Sequence, residues 1–155
     1  MNQEKPIVLR KGWTTGACAT AAVKAALVGL WGGKFLKTVS IILPKGETPT
    51  FDLVKPKKGN GWSEVGIVKD AGDDPDVTHG CVVIVTVKET PNSVTFKAGK
   101  GVGTVSMPGL PIGVGEPAIN PKPREMMSSI VHEMAELYLK KPNIEITISI
   151  PNGEI

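Results

Sequence analysis

The sequence predicts an α+β domain, with two main helices packed on one face of a largely antiparallel or mixed sheet. Three observations carry this. Two stretches have helical spacing with capping and stop residues at their ends, and several Val-, Ile- and Thr-rich segments of strand length lie between and after them. The two kinds of segment do not alternate in the regular βαβ order of a parallel sheet. At 155 residues, 41% of them hydrophobic, residues 1–155 suffice for one globular domain with an ordinary buried core. Aromatic residues make up only 5%, so small and β-branched aliphatic side chains must do most of the packing.

The first helix is expected from about Thr15 to Trp31, within GWTTGACATAAVKAALVGLWGG. Thr14 or Thr15 can cap its start, and Gly32 and Gly33 can end it. Ala17, Ala21, Ala25 and Val28 share one face, with Cys18, Ala22 and Leu27 nearby, and a face this small packs closely on a sheet. TVSIIL, TFDLV, SEVGIVK, CVVIVTVKE and SVTFKA read as strands. The ETPNSV stretch has turn chemistry, so residues 81 to 98 are expected to form a hairpin. Pro44, Pro56 and the KKGNG turn separate the earlier strands, leaving Lys55, Lys57 and Lys58 as solvated turn charges.

Residues 99 to 123 hold six glycines and five prolines, too many for a helix, in a setting too apolar for a disordered linker. A long ordered loop of this kind is usually functional. The second helix is expected from about Pro123 to Lys140, burying Met127, Ile130, Val131, Met134, Leu137 and Tyr138. Its methionines read as core residues, and His132 falls among polar positions and is assigned no function. The last strand, IEITISI, alternates and can close the sheet.

Composition excludes several classes of function. The net charge is +3, but the basic residues are scattered among acidic ones without a basic block, which argues against a nucleic-acid surface. The longest apolar runs, such as CVVIV, have strand length, and the charged N-terminus does not read as a signal peptide, so a soluble, cytoplasmic chain away from the membrane is expected. Two cysteines, Cys18 and Cys81, give neither a disulfide framework nor zinc spacing and read as small core residues of a reducing compartment.

Three segments are candidates for chemistry. KDAGDDPDVTHG, residues 69 to 80, gathers Asp70, Asp73, Asp74 and Asp76 ahead of His79. Aspartates and prolines build turns, which is the plain structural reading. Carboxylates this close repel each other unless donors, cations or protons intervene, and His79 is a possible proton acceptor. The segment fails the EF-hand template and has one histidine, so no dedicated metal site is expected. The TTG at Thr14, Thr15 and Gly16 opens the first helix and is either a simple cap or an anion site, since N–H groups and the helix dipole meet there. GKGVG, with Gly99, Gly101 and Gly103, follows a strand but precedes prolines instead of a helix, so it fails the dinucleotide fingerprint and leaves a backbone-rich loop suited to a flat ligand. The only arginines, Arg10 and Arg124, flank these unusual stretches and offer forks for carboxylates or phosphates. The commoner fate of a lone arginine is a surface ion pair.

RKGWTTGACATAAVKAA at 10–26, VKDAGDDPDVTHG at 68–80 and GKGVGTVSMPGLPIGVGEPAINPKPREMM at 99–127 together resemble the cobalt-precorrin-5B C-1 methyltransferase family of anaerobic cobalamin synthesis, CbiD. The resemblance runs from about Arg10 to the end of the chain, and it is to the N-terminal half of a longer enzyme. It implies transfer of a methyl group from S-adenosylmethionine to C-1 of a cobalt-containing tetrapyrrole, with the cobalt carried by the substrate. A C-terminal half or a second copy of the chain would then be a partner. On this reading Arg10, Lys11, Thr14, Thr15, Gly16, Lys100 and Arg124 bind the substrate's carboxylates. Gly99, Gly101, Gly103 and Asn120 contact the methyl donor, and Asp73, Asp74, Asp76 and His79 form a polar wall serving as base or sulfonium partner. Two rivals stay open: a phosphotransferase using GKGVG and magnesium, and a non-catalytic module that holds a tetrapyrrole.

Overall fold

Alanine dominates the first helix, and the consequence is burial on nearly every side. The computed structural model describes residues 14–69, 82–100, 102, 119 and 121–151. Helix α1 (Thr15–Gly32) buries Ala17 to Val23 and Ala25 to Leu27, because a sheet covers one side and a second helix another. By length and apolarity alone α1 would reach across a bilayer, which a search for uninterrupted apolar runs overlooks. Thr14 caps its start, its Oγ1 accepting from the Ala17 N–H at 3.0 Å. Gly33, left-handed at φ 86°, ends it with an N–H donated to the Gly29 carbonyl.

Six strands follow: β1 (Thr38–Ser40), β2 (Thr50–Gly59), β3 (Trp62–Val68), β4 (Val82–Glu89), β5 (Thr95–Ala98) and, beyond helix α2 (Pro121–Tyr138), β6 (Ile144–Ser149). They form one mixed sheet in the order β1-β2-β3-β4-β6-β5, in which only the β5–β6 pair is parallel. Val65, Ile67, Val83, Val85, Val87, Ile144, Ile146 and Ile148 alternate inward and meet α1 and α2 in one aliphatic core. The α+β class and the mixed sheet thus follow the sequence reading.

The expected hairpin over 81 to 98 does not form. Strand β6 inserts between β4 and β5, pairing antiparallel with β4 from Ile84↔Ser149 to Glu89↔Ile144, and β5 lies parallel on its far side. The turn chemistry at residues 90–94 is genuine, but β6 offers β4 three fully or nearly fully buried isoleucines, which the shorter β5 cannot match. For the same reason the last strand is interior and does not merely close an edge. Pro56 does not interrupt its strand either. It sits inside β2, where the register shifts between Val54 and Lys57 and Lys55 takes φ 50°, and a bulge frees the proline from the ladder.

Two lysines read as solvated turn charges have partners. Lys57 pairs with Glu64 at 3.3 Å, and Lys58 Nζ donates to the Gly29 and Gly33 carbonyls, capping the end of α1 from a neighbouring strand. Helix α2 buries Met127, Val131, Met134 and Ala135, while Leu137, expected inside, is 65% exposed. The helix ends at Tyr138, two residues short of Lys140, with Leu139 turned left-handed at φ 59°. The buried stripe runs through Met127, Val131, Met134 and Ala135, and at 3.6 residues per turn Leu137 falls beyond its edge.

Helices α1 and α2 run parallel. Gly16 meets Pro123 at their starts and Gly32 meets the Tyr138 ring at their ends. A Cβ on Gly16 would lie 2.8 Å from Pro123 Cγ, so this glycine sets the spacing of the pair.

Candidate functional site

Topology brings the described ends of the three motif segments to one end of the sheet. Val68, which ends β3, pairs with Val82, which begins β4, so the two residues that flank the acidic segment lie side by side there. Along β4 the same end is marked by Ile84↔Ser149, and β6 continues to Ile150, whose N–H donates to the Lys100 carbonyl at 2.6 Å. Gly99 donates to the Ile148 carbonyl at 2.7 Å, which fixes the start of the glycine-rich loop beside β6. The N-termini of α1 and α2 arrive at that end too, because the helices are parallel.

Between them lies a cavity of about 160 Å³, with Thr15, Gly16 and Ala19 on one side, Pro123 and Met127 on another, and Ile148, Ile150, Val102 and Ile119 closing it. On the outer side of the same helix ends is a wider groove of about 600 Å³. Its floor is Ala17, Leu43, Pro44, Pro123 and Met126, and Lys45, Lys122 and Glu47 stand on its rim. The Thr14 side chain and carbonyl take the N–H groups of Ala17 and Cys18. Helix geometry leaves those of Thr15 and Gly16 without an intrahelical acceptor, so the positive end of the dipole faces both hollows. Pro121 and Pro123 have no N–H to offer, which makes α1 the stronger donor of the two ends.

A protein-family model described as CbiD matches residues 2–155. The chain belongs to the CbiD family. Curated relatives include the cobalt-precorrin-5B C(1)-methyltransferase of Brucella anthropi, 57% identical over 155 residues, with 99% of this chain and 42% of the relative covered. That of Paramagnetospirillum magneticum is 53% identical over 148 residues, covering 94% and 42%. A 1.9 Å crystal structure of cobalamin biosynthesis protein cbiD from Archaeoglobus fulgidus matches with a TM-score of 0.67 at 26% identity, over 93% of this chain and 44% of that one. The chain therefore spans about two fifths of the length of the curated relatives it matches.

Of the CbiD-like site residues expected from sequence, the structure brings Thr14, Thr15 and Gly16 to the groove and the cavity. Lys100 is exposed at the same end of the sheet, engaged through its carbonyl. Arg124, one turn into α2, donates from Nε to the Ile119 carbonyl at 2.9 Å and lays its guanidinium 5.1 Å from the Phe96 ring centre, so it ties Ile119 and β5 to the start of α2. Gly99 presses against β6: a Cβ there would meet Ser149 Oγ and the Ile148 carbonyl. Asp73, Asp74, Asp76, His79, Arg10, Lys11, Gly101, Gly103, Asn120 and Cys81 lie outside the described residues. Cys18 is buried in the core, as expected of a small apolar residue. Among the described residues no group of His, Cys, Asp and Glu is arranged to hold a metal ion. Sequence reasoning missed Lys45 and Lys122. Each is a single lysine in an ordinary turn or helix start, and only the approach of the two segments in space marks them.

Proposed function

We propose that this chain takes part in the S-adenosylmethionine-dependent methylation of C-1 of cobalt-precorrin-5B, a step of anaerobic cobalamin biosynthesis carried out in the cytoplasm. The observation that supports the reading is that the described ends of all three motif segments lie at the end where the cavity, the groove and both helix starts meet. The names of relatives at 53% and 57% identity supply the reaction. A tetrapyrrole of this class is flat and apolar in its plane and carries acetate and propionate side chains. It calls for an apolar groove with cationic and N–H donors at its rim, which is what α1, α2 and the Leu43–Glu47 loop provide.

The described residues do not by themselves fit the methyl donor. The cavity between the helix starts, about 160 Å³, is smaller than the roughly 300–1,000 Å³ of common small-molecule sites. The Cβ direction of Gly99 is filled by Ser149, and the larger groove has lysines on its rim, a poor setting for a sulfonium cation. What these residues supply is substrate positioning, and the proton transfer is assigned to the Asp73–His79 segment. Replacing Asp74 or His79 by alanine is expected to lower methyl transfer from labelled S-adenosylmethionine by about 10²- to 10⁴-fold with the unfolding midpoint unchanged. A fall in the midpoint with turnover per folded molecule preserved would return the segment to a purely structural role.

Calorimetric titration with S-adenosylhomocysteine, with ATP and magnesium as the comparison, tests the reaction class. Saturable binding of S-adenosylhomocysteine alone supports a methyltransferase. Magnesium-dependent binding of ATP alone would sink that reading in favour of phosphoryl transfer.

A further inference from the structure

The wider groove has a construction that its sequence does not advertise. Beyond β1 and β2 the antiparallel ladder continues through the connecting segment: Ile41 N–H donates to the Pro49 carbonyl at 3.3 Å and Leu43 N–H to the Glu47 carbonyl at 2.8 Å. Gly46, left-handed at φ 92°, closes the tip by donating to the Leu43 carbonyl at 2.8 Å. The result is a hairpin tip with fixed backbone geometry, and it carries Lys45 to one side of the groove while the first turn of α2 carries Lys122. The floor between them is apolar, made of Leu43, Pro44 and Met126. A second hollow of about 280 Å³ continues from it along α2, past Ile42 and Ile130, and there the lining turns acidic with Glu125 and Glu133.

We propose that this groove is a subsite for one carboxylate-bearing edge of the tetrapyrrole, in which Lys45 and Lys122 pair with substrate carboxylates while the ring edge lies on Leu43, Pro44 and Met126. The inference rests on the tetrapyrrole reading above and deepens it by naming the residues that choose the substrate. At about 600 Å³ the groove holds an edge of a molecule that size, not the whole. Two lysines against one carboxylate, Glu47, leave the rim with a surplus of positive charge, to which the start of α1 adds. That balance attracts a polycarboxylate and repels a sulfonium, which assigns the groove to the substrate and not to the methyl donor. Lysine suits the task, since its point charge on a flexible stem can follow side chains that themselves rotate.

The test compares binding of cobyrinic acid, a cobalt corrin with free peripheral carboxylates, and of its fully methyl-esterified form, to the unaltered chain and to the Lys45→Gln, Lys122→Gln double variant. For exposed pairs the double variant is expected to weaken cobyrinic acid binding about three- to tenfold, with most of the difference lost at high salt. Binding of the ester should be unchanged, and so should the thermal midpoint, because both side chains are solvent-facing. Equal affinity of the two proteins for cobyrinic acid would overturn the clamp while leaving the tetrapyrrole reading in place. Failure of the unaltered chain to bind either corrin would overturn both. If S-adenosylhomocysteine bound the unaltered chain and the double variant lost that affinity, the groove would belong to the donor and the assignment would be wrong.

Discussion

Gly16 decides how closely the two helices approach. A methyl group there would sit 2.8 Å from a proline ring that cannot rotate away, so Gly16→Ala should separate α1 from α2 and open the cavity between them. The better helix propensity of alanine returns about 1 kcal/mol at most, against about 1–3 kcal/mol for overpacking. A net loss near 1 kcal/mol in urea unfolding is expected, and a gain would show that the helices are not in register as described. Gly99 is held by the same logic against the Ile148 carbonyl, so Gly99→Ala should destabilise the chain whether or not a ligand is present. Ser63 presents the opposite case. It is fully buried, and its Oγ has no hydrogen-bond partner among the described residues, so Ser63→Ala should leave stability unchanged or raise it slightly. A loss above about 1 kcal/mol would mean that the hydroxyl is satisfied by a group beyond those residues. The TTG cap and the alanine face were legible because capping and helical spacing are local rules. The neighbours of Gly16 and Gly99 are remote in sequence and left no local signal.

Helix α1 has no basic residue in its last turn, and its C-terminal carbonyls are served instead by Lys58 from β2. A charge in this position relieves both the orphan carbonyls and the negative end of the dipole. Lys58→Met keeps the aliphatic stem and removes the charge, and should cost about 0.3–1 kcal/mol, with the difference shrinking at high salt. An effect that ignores salt would point to lost packing of the stem and not to capping. The element boundaries read from sequence were close for both helices and for most strands, since those depend on caps, glycines and β-branched runs. Strand partners were less legible. The stretch at residues 90–94 has every local mark of a hairpin turn, yet β4 pairs with a strand more than fifty residues away, because the buried isoleucines of β6 decide the pairing. Pro56 likewise reads as a stop until the bulge around Lys55 is seen.

Strand β6 ties the sheet to the cavity. It is the last strand in sequence but an interior one in the sheet, bonded to β4 on one side and β5 on the other, and its Ile148, followed by Ile150, lines the cavity at the motif end. Of the site, the three motif segments could be picked out from their composition and their family likeness, whereas the shared end at which their described flanks lie could not, because it depends on a parallel helix pair and on this late strand. A chain ending at Lys141 should therefore lose more than an edge. It would leave both β4 and β5 without a neighbour on the β6 side, expose the inner faces of Val85 and Val87, and remove one wall of the cavity. The expected outcome is loss of a cooperative thermal transition together with loss of cobyrinic acid binding, while a chain ending at Pro151, with β6 intact, keeps both. Circular dichroism melting of the two truncated chains distinguishes this from a peripheral last strand. If the chain ending at Lys141 still melted cooperatively, the central pairing of β6 would be refuted, and with it the common end on which the proposed site is built.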